Sequence, residues 1–432
     1  MARFLFATMP IPGHVAPIAP VVRALVDRGH QVTWYTSAFF AEKVAASGAE
    51  FSPIVSTLDF GDADYDRHYP ERVKYAGLQK LIFDFEHVFV GSVEGYVTDL
   101  RALIESNRPD ALVVDPAVAA GWVIAETDGL PTAVVNVTVL SLEDPGVAPF
   151  GLGLPPNSSL IGRVRNKALY ALVDRVIFGK VNRAYRRLAR DHGWPVLPFR
   201  PHATRWLYLQ PSVPALEYPQ VALPPQLHFV GPLLPAPADD HGRPGWWPDL
   251  EAARQARRPV VLVTQGTVAT ESDELIEPTL RALAEEDVLV IAAGADPAAM
   301  TSVPTNARVV PFVPFVPLMP FVDAYVTNGG FGGVVIALAN GVPVVSAGTT
   351  EDKAEVGGRI AYAGVGINLK TNRPTEDALR VAIFQVLRDP SYREKAARIQ
   401  RDFADHDAPT EAAELLEQLA STKAPVIRTG RV

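Results

Sequence analysis

Short apolar runs alternate with amphipathic stretches along the first half of the chain. The runs Arg3–Ala7 and Gln31–Thr36 predict strands, and apolar residues at helical spacing predict a helix over 16–27 that ends at Gly29. The alternation continues with strands predicted at 50–53, 111–114 and 132–136 and helices at 38–47 and 117–127. Apolar strands that alternate with amphipathic helices are typical of a parallel sheet covered by helices on both faces.

The same alternation restarts in the second half. Strands are predicted at 259–264, 288–292, 307–311, 324–327 and 342–346, and helices at 273–285, 334–340 and 408–419. The segment between the halves, 232–249, is rich in proline, aspartate and glycine, which is typical of a linker. The sequence therefore predicts an α/β fold in which two doubly wound, Rossmann-like parallel-sheet domains face each other across a cleft.

The predicted boundaries divide the chain into four parts. An N-terminal domain over 1–235 is followed by an interdomain linker over 236–255 and a C-terminal domain over 256–407. The last part, 408–432, is predicted to be a helix that crosses back to the first domain, followed by a tail. Because ligands bind beyond the carboxyl ends of parallel strands, the loops that follow these ends are expected to line the cleft.

Composition narrows the class of protein. The 432 residues are 48% apolar and carry a net charge of −8, without the basic block that tracks a nucleic-acid backbone, so no nucleic-acid partner is expected. No apolar run is long enough for stable membrane insertion, and the absence of cysteine fits a reducing cytoplasm. The basic helical segment 163–190 could touch an anionic membrane, but a solvated face on a helix that packs within the domain is the preferred interpretation.

A glycine-rich turn is the most informative motif of the chain. The residues Asn328, Gly329, Gly330, Phe331, Gly332 and Gly333 follow the predicted strand 324–327 and lead into the helix 334–340. Such a turn brings backbone N–H groups up to a phosphate, and the helix N-terminus behind it carries partial positive charge. The turn therefore indicates a pocket for a nucleotide or a nucleotide sugar, although glycines also serve ordinary tight turns.

Two polar residues are expected at the carboxyl edge of the first sheet. His14 lies after the first strand and before a helix N-terminus, whose dipole disfavours the imidazolium ion, so a neutral ring able to act as a general base is predicted. Asp115 follows the strand 111–114 and could accept the second ring N–H of that imidazole. In the alternative, His14 is a packing residue and Asp115 caps the next helix.

The second half carries two further motifs that suit a nucleotide. Gly266 and Thr267 follow the predicted strand 259–264, where a tight turn and a hydroxyl could contact a diphosphate. Phe312 and Phe315 flank Val313 after another predicted strand, where the two rings could sandwich a planar base while the backbone reads its edge. A plain turn and two core aromatic residues would explain the same positions.

The order and spacing of these motifs resemble those of GT-B nucleotide-sugar glycosyltransferases in the UDP-glycosyltransferase superfamily, in particular the branch that glycosylates macrolides and other small natural products. The resemblance covers most of the chain. It rests on Gly13-His14-Val15-Ala16-Pro17, Asp115, Gln265-Gly266-Thr267 and the stretch from Asn306 to Gly366. That stretch contains Phe312-Val313-Pro314, the glycine-rich turn, Gly341-Val342-Pro343, Asp352, Arg359 and Gly364-Val365-Gly366.

The resemblance implies an inverting transfer of a sugar from a UDP- or dTDP-sugar to a hydroxyl of a small hydrophobic or aromatic acceptor. It implies His14 as the catalytic base and Asp115 as its partner, with no metal and no cofactor, since the nucleotide sugar is a co-substrate. The first domain would bind the acceptor and the second domain the donor. Donor-binding residues are implied at Gly266, Thr267, Phe312, Val313, Asn328, Gly329, Gly330, Gly332, Gly333, Asp352 and Lys353.

The acceptor side is formed in this family by loops of the first domain. Apolar and aromatic surface suited to a flat acceptor is supplied by Ile11, Phe83, Phe85, Phe89 and Phe150. In the alternative, the phenylalanines face the core. Nucleotide-sugar epimerases share the same architecture, and a non-catalytic homologue that binds a nucleotide would keep much of it. The oligomeric state is left as monomer or homodimer.

Four positions depart from the family pattern. The family usually has His where Asn328 stands, Ser or Thr where Gly333 stands, and a ribose-binding Glu where Ile336 stands. Its Asp-Gln or Glu-Gln pair is Asp352-Lys353 in this chain, and Lys353 either adds positive charge near the diphosphate or forms a surface ion pair with a neighbouring glutamate. A deoxyribose nucleotide has fewer hydroxyls and would lose less binding without the glutamate, so the choice between UDP and dTDP stays open.

Overall fold

Two parallel sheets form the framework of the protein. The computed structural model describes residues 1–61, 65–75, 77–235, 244–266, 273–300 and 302–428. In these residues the first sheet contains β1 (Arg3–Ala7), β2 (Gln31–Thr36), β3 (Glu50–Pro53), β4 (Ala111–Val114), β5 (Thr132–Val135), β6 (Leu207–Gln210) and β7 (Leu227–Phe229). The second sheet contains β8 (Val260–Thr264), β9 (Leu289–Ala293), β10 (Ala307–Val310), β11 (Ala324–Thr327), β12 (Val344–Ser346) and β13 (Gly366–Asn368).

The strand order is that of doubly wound sheets. The first sheet runs β3-β2-β1-β4-β5-β6-β7 and the second β10-β9-β8-β11-β12-β13, with parallel pairing throughout. The direction of winding reverses between β1 and β4 and between β8 and β11, and ligands bind at such switch points. The predicted fold class is confirmed. The predicted strands did not include β6, β7 or β13.

Both faces of each sheet are buried, as the alternate residues of the strands show. In β1, Phe4 and Phe6 belong to one buried apolar cluster, and Leu5 and Ala7 belong to another. Alternate residues of β8 divide in the same way between two further clusters. A parallel sheet with helices on both faces requires such continuously apolar strands.

Helices connect the strands and cover the sheets. Those before residue 200 are α1 (Pro12–Val15), α2 (Ala19–Asp27), α3 (Ala41–Ala46), α4 (Tyr65–His68), α5 (Gly77–Asp84), α6 (Gly91–Asn107), α7 (Ala119–Thr127), α8 (Leu160–Leu172) and α9 (Gly179–His192). Those after it are α10 (Trp247–Ala256), α11 (Ile276–Leu283), α12 (Phe315–Leu318), α13 (Phe331–Ala339), α14 (Lys353–Ala363), α15 (Glu376–Arg388), α16 (Pro390–Ala404) and α17 (Ala408–Thr422). Two π-helical segments, Phe85–Val90 and Val173–Ile177, join α5 to α6 and connect α8 with α9.

The predicted helix over 16–27 forms only from Ala19 onward. Residues Pro12–Val15 form a separate short helix, and α2 starts afresh with a proline in its first turn. Proline suits the first turn of a helix but interrupts one that is already running, because it lacks the N–H donor. His14 therefore lies within α1 and not in a loop before a longer helix.

The C-terminal helix α17 packs against α2 of the first sheet. Ala412 and Leu416 are buried in the same cluster as Leu25. At the edge of this contact, Arg28 donates two hydrogen bonds of 2.7 Å to Glu417, and these lower the pKa of the Glu417 carboxyl to about 2. The end of the chain is thus anchored on the first half.

The domain boundaries stay a prediction. Residues 236–243 of the predicted linker lie outside the described part of the chain. The rest of that linker includes most of α10, whose Trp247 and Leu250 are buried in a cluster of the second sheet.

The strand register aligns the carboxyl ends that carry the candidate site. Ala7 of β1 pairs with Val114 of β4, so the residues that follow these two strands leave the first sheet at one edge. Thr264 of β8 pairs with Thr327 of β11, which brings the loops after those strands together at one edge of the second sheet.

Candidate active site

His14 and Asp115 lie side by side at the carboxyl edge of the first sheet. The imidazole Nδ1 is 3.1 Å from Asp115 Oδ1, and the side chains are 23% and 0% exposed, respectively. The backbone N–H groups of Met9 and Ala117 donate to the carboxylate at 2.6 and 2.7 Å and hold it in place. A carboxylate beside Nδ1 favours the tautomer with its proton on that nitrogen, which leaves Nε2 as the basic nitrogen.

The pKa of His14 has a cause that the sequence did not reveal. Burial by itself lowers the pKa of the ring. The Asp115 carboxylate, with a smaller contribution from Asp352, raises that pKa by more than burial lowers it, so the net pKa lies above the ordinary value of 6.5. The prediction that a helix N-terminus lowers the pKa of His14 is wrong, because His14 occupies the last turn of the short helix α1. The ring is therefore more basic than an isolated histidine.

The glycine-rich turn lies where β11 passes into α13. Gly329 has a φ of +97°, a backbone conformation that favours glycine, and Gly330 is the N-cap of α13. The helix starts at Phe331 and not at residue 334, so Gly332 and Gly333 lie in its first turn. Their N–H groups belong to the set that a helix leaves without an internal partner, which is the donor set an anion needs.

Asn328 joins the two loops at the carboxyl edge of the second sheet. Its side-chain N–H donates to the backbone carbonyl of Gln265, next to Gly266. Gly266 has a φ of +95°, and a Cβ there would lie 2.7 Å from Asn328 Nδ2, so the close approach of the loops requires glycine. Thr267, which follows, lies outside the described residues.

Tyr325 explains why glycine occupies position 333. A Cβ at Gly333 would lie 2.5 Å from the Tyr325 hydroxyl, which is itself hydrogen-bonded to Thr264 Oγ1 at 2.8 Å. A serine or threonine at position 333 has no room while that hydroxyl is present. The preceding position differs, because a Cβ at Gly332 would meet no atom within 4 Å.

Gly333→Ser should lower the free energy of unfolding by about 1–3 kcal/mol, because the new side chain overpacks against Tyr325. Tyr325→Phe should remove most of that penalty in the double variant, since the contact at 2.5 Å is with the hydroxyl oxygen. Urea unfolding of both single variants and the double variant measures the coupling, with Gly332→Ser as the matched control. Equal losses at positions 332 and 333, or no coupling with Tyr325, would show that the steric explanation is wrong.

Asp352 connects the second half of the chain to the first at the candidate site. It is the N-cap residue of α14, and its carboxylate accepts a hydrogen bond of 2.6 Å from the Thr138 hydroxyl, beyond β5. Burial raises the pKa of Asp352, against the lowering effects of that hydrogen bond and of Lys353. Lys353 is largely buried and forms an ion pair with Glu351, so it pairs with a neighbouring glutamate, although not as an exposed surface pair.

A buried charge network, centred on Arg359, lies further along α14. The Arg359 guanidinium pairs with Glu355 on its own helix and with Glu217, whose carboxylate oxygen is 3.3 Å away. It also donates to the Leu140 carbonyl at 2.8 Å and stacks 3.9 Å from the centre of the Tyr218 ring. The arginine was identified from the family motif, but its partner Glu217 is 142 residues away and gives no local signal.

The carboxylates of this network hold the loop that follows β5. Glu355 accepts the N–H groups of Gly151 and Gly153 at 3.0 and 2.7 Å, and Glu217 accepts the N–H of Leu140 at 3.1 Å. Burial raises the pKa of Glu217, while Arg359 opposes that rise. The loop over 138–153 is thus fastened to the helix that begins beside Asp352.

The predicted base-binding residues have different surroundings. Phe312 is 78% exposed, the Val313 side chain is buried, and Phe315 packs edge-on against Tyr325 at 6.1 Å. The Phe312 ring is therefore free to stack on a ligand, whereas Phe315 belongs to the packing of the second sheet.

The predicted acceptor residues differ in their exposure. Phe83 is buried between Tyr75 and His87, as the alternative reading of a core residue predicts. Phe85 and Phe89 stack at 5.0 Å on a π-helical segment and are partly buried. Ile11 is partly exposed beside His14, and Phe150 is exposed in the loop held by Glu355.

The described residues contain neither a cluster suited to a metal ion nor a helix suited to a membrane. In this part of the chain, no group of three or more histidine, aspartate or glutamate side chains is arranged to hold a metal ion. Among its helices, none combines the length and apolar character that crossing a bilayer demands.

Comparison with known proteins places these features in a family. A family model described as the C-terminal domain of erythromycin biosynthesis protein CIII-like proteins matches residues 277–419. The 4'-demethylrebeccamycin synthase of Lentzea aerocolonigenes is 40% identical over 425 residues, which cover 97% of this chain and 99% of the relative. The UDP-glucosyltransferase A1 of Starmerella bombicola is 31% identical over 96% of this chain and 91% of its own.

Solved structures agree on the fold. The spinosyn rhamnosyltransferase SpnG, complexed with thymidine diphosphate, is 21% identical and has a TM-score of 0.68, over 96% of this chain and 100% of that chain. The likeness covers almost the whole chain, and with it both parallel sheets of the two-domain GT-B fold. The chain therefore belongs to the nucleotide-sugar-dependent glycosyltransferases of the macrolide and natural-product type, within the UDP-glycosyltransferase superfamily.

Proposed function

We propose that this glycosyltransferase inverts the configuration at the sugar C1 and transfers the sugar from a nucleotide-diphosphate donor to a hydroxyl of a small hydrophobic or aromatic acceptor. The observation that carries the proposal is the His14–Asp115 pair at the switch point of the first sheet. Its carboxylate orients the imidazole and raises the pKa of the ring, which suits a base that must take a proton from an alcohol.

The reaction is a single displacement. Nε2 of His14 takes the proton of the acceptor hydroxyl while the acceptor oxygen forms a bond to C1 of the sugar. The bond between C1 and the diphosphate oxygen breaks on the opposite face, and its electron pair leaves with the nucleoside diphosphate. Asp115 stabilises the imidazolium that results, as the carboxylate does in a serine-protease triad.

The second half of the chain supports departure of the diphosphate. Negative charge grows on the leaving oxygen, and the N–H groups of Gly330, Gly332 and Gly333 at the start of α13 are fixed donors for that charge. The Asp352 carboxylate, at the N-terminus of α14, contributes to the raised pKa of His14, and it can accept hydrogen bonds from sugar hydroxyls. Donor and base thereby meet in one crevice.

The value of kcat/KM should rise with pH through an apparent pKa above 6.5, because the neutral ring is the reactive form and Asp115 raises the pKa of His14. Asp115→Asn should move that rise to lower pH, since burial then acts without the opposing carboxylate, and should also lower the plateau. The measurement is a pH–rate profile of both proteins under conditions in which chemistry limits the rate. A flat wild-type profile from acid to neutral pH, or an unmoved profile in the variant, would contradict an imidazole base.

We further propose that the donor nucleotide is thymidine diphosphate, in preference to uridine diphosphate. Ile336 is half-buried on α13, where the family usually has a glutamate for the ribose hydroxyls, and a deoxyribose loses less without it. The spinosyn enzyme, complexed with thymidine diphosphate, shares the fold.

A thermal-shift series with dTDP, UDP and GDP tests this choice, because a ligand that binds the folded state raises Tm. We expect dTDP to raise Tm most, and Ile336→Glu to narrow the gap between dTDP and UDP, with Ile336→Gln as the uncharged control. A larger shift with UDP or GDP in the wild type would refute the thymidine preference. No shift with any of the three would count against the donor site itself.

A further inference from the structure

Helix α8 exposes an apolar face. The stripe consists of residues that are 45–82% exposed, namely Leu160, Ile161, Val164, Leu172 and Val176. From Ile161 to Leu172 the exposed apolar residues, with Ala168, follow at intervals of three and four and so share one side of α8, and Val176 follows four residues later on the π-helical segment. We call this set the outer stripe. A water-facing helix normally shows the reverse arrangement, with its polar side outward.

The opposite side of α8 fixes this orientation. Asn166 is completely buried, and its side-chain amide donates to the Pro145 carbonyl at 2.9 Å. At the start of the helix, the Ser159 hydroxyl accepts the N–H of Gly162 at 3.1 Å, and Gly162 is buried. Rotating α8 to hide the outer stripe would break the Asn166 contact and expose the residues beneath. The apolar side is therefore held outward by a polar anchor.

Basic side chains surround the outer stripe. Residues 160–192 contain nine lysine and arginine residues against two aspartates and no glutamate, in a chain whose net charge is −8. The exposed members are Arg163, Lys167, Arg175, Lys180, Arg183, Arg187 and Arg190. On α9 the last four follow at intervals of three and four, so the outward side of that helix is cationic.

We propose that the outer stripe and the basic residues of α8 and α9 form a peripheral docking surface for an anionic lipid bilayer. Apolar residues flanked by lysine and arginine on a surface helix are the combination that binds the interface between headgroups and acyl chains. The apolar residues enter the acyl boundary, and the basic residues contact anionic headgroups, each contributing attraction that salt screens.

Charge argues against a second copy of this chain as the occupant. A two-fold contact would place the same surface on both partners and would set the basic residues of one copy against those of the other. A nucleic acid would use the basic residues but would leave the outer stripe without a role. An anionic bilayer uses both features at once.

The docking surface lies on the half of the chain that carries His14. The loop that ends at α8 includes Phe150, and Asn166 binds that loop through Pro145. A consequence, which rests on the proposed function, is that a hydrophobic acceptor dissolved in the bilayer would reach the site from this side. The docking itself does not depend on the identity of the acceptor.

Vesicle flotation of the full-length protein tests the proposal directly. The probes are vesicles of phosphatidylcholine and phosphatidylglycerol in equal parts and vesicles of phosphatidylcholine alone. Wild type should partition at least ~10-fold more strongly onto the anionic vesicles, and added salt should weaken that binding. Ile161→Glu with Val164→Glu, and separately Arg163→Gln with Lys167→Gln, should each reduce the partition severalfold.

Val381→Glu on α15 is the matched control, because Val381 is an exposed apolar residue on the other half of the chain. The Tm and the nucleotide affinity of every variant establish that it is folded, whatever the enzyme's turnover. Equal binding of wild type to both vesicles, or an equal loss in the Val381 control, would overturn the proposal. It would also be overturned if only the charge variants lost binding, or if the stripe variants abolished a dimer seen in ultracentrifugation while vesicle binding was absent.

Discussion

His14→Ala should lower kcat by about 10²- to 10⁴-fold, the usual contribution of a general base. Affinity for the donor nucleotide should change little, because in the proposed mechanism the imidazole acts on the acceptor hydroxyl and the start of α13 binds the diphosphate. The two quantities are separable by steady-state kinetics across a panel of acceptors and by calorimetric titration of dTDP.

A histidine elsewhere on the same half of the chain supplies the control. His192 lies at the end of α9, stacks on Trp194 and pairs with Glu94. His192→Ala should leave kcat close to that of wild type. If His14→Ala turns over like wild type with acceptors that the wild type glycosylates, the proposed mechanism is wrong.

Arg359→Met should lower the free energy of unfolding by about 3–5 kcal/mol, because it leaves buried carboxylates without their cation. Glu217 and Glu355 both contact the guanidinium, and all three side chains are almost fully buried. The methionine occupies a similar length of space but cannot compensate either charge. Chemical denaturation of the whole chain measures the loss, and a broadened transition would indicate that the two halves unfold separately.

The same substitution should act on the acceptor more than on the nucleotide. The Arg359 network fastens the loop over 138–153 to α14, so its loss should raise the KM for the acceptor while the Kd for dTDP changes less. Arg359→Lys should rescue only part of this effect, because one ammonium cannot reproduce the planar set of donors.

The matched control is Arg380→Met, which removes an exposed ion pair with Asp377 and should cost almost nothing. Similar losses for Arg359→Met and Arg380→Met would show that the buried network does not stabilise the fold. A change confined to dTDP affinity would show that the Arg359 network does not position the loop over 138–153 for the acceptor.

The sequence was sufficient for the parts of the fold that repeat a pattern. Short apolar runs that alternate with amphipathic helices predicted two doubly wound sheets, because strands buried on both faces are continuously apolar. The proximity of His14 and Asp115 was predictable because both residues follow strands that end at the same edge of the first sheet. The pairing of Ala7 with Val114 aligns these two strand ends.

What the sequence could not supply depends on contacts between distant residues. Glu217 and Arg359 are 142 positions apart, and no local rule connects them. The clash that reserves position 333 for glycine comes from Tyr325, on the strand before the turn. The pKa of His14 is raised and not lowered, because the effect of the Asp115 carboxylate exceeds that of burial. Predicting this direction requires the distance of 3.1 Å between the two groups.

The central claim is that the His14 imidazole and the anion-binding start of α13 face one crevice. Titration of the His14 ring by NMR, with and without dTDP, tests it most directly, because a nearby diphosphate stabilises the imidazolium ion. We expect dTDP to raise the pKa of His14 further. A His14 titration curve that is the same with saturating dTDP as without it would contradict the claim.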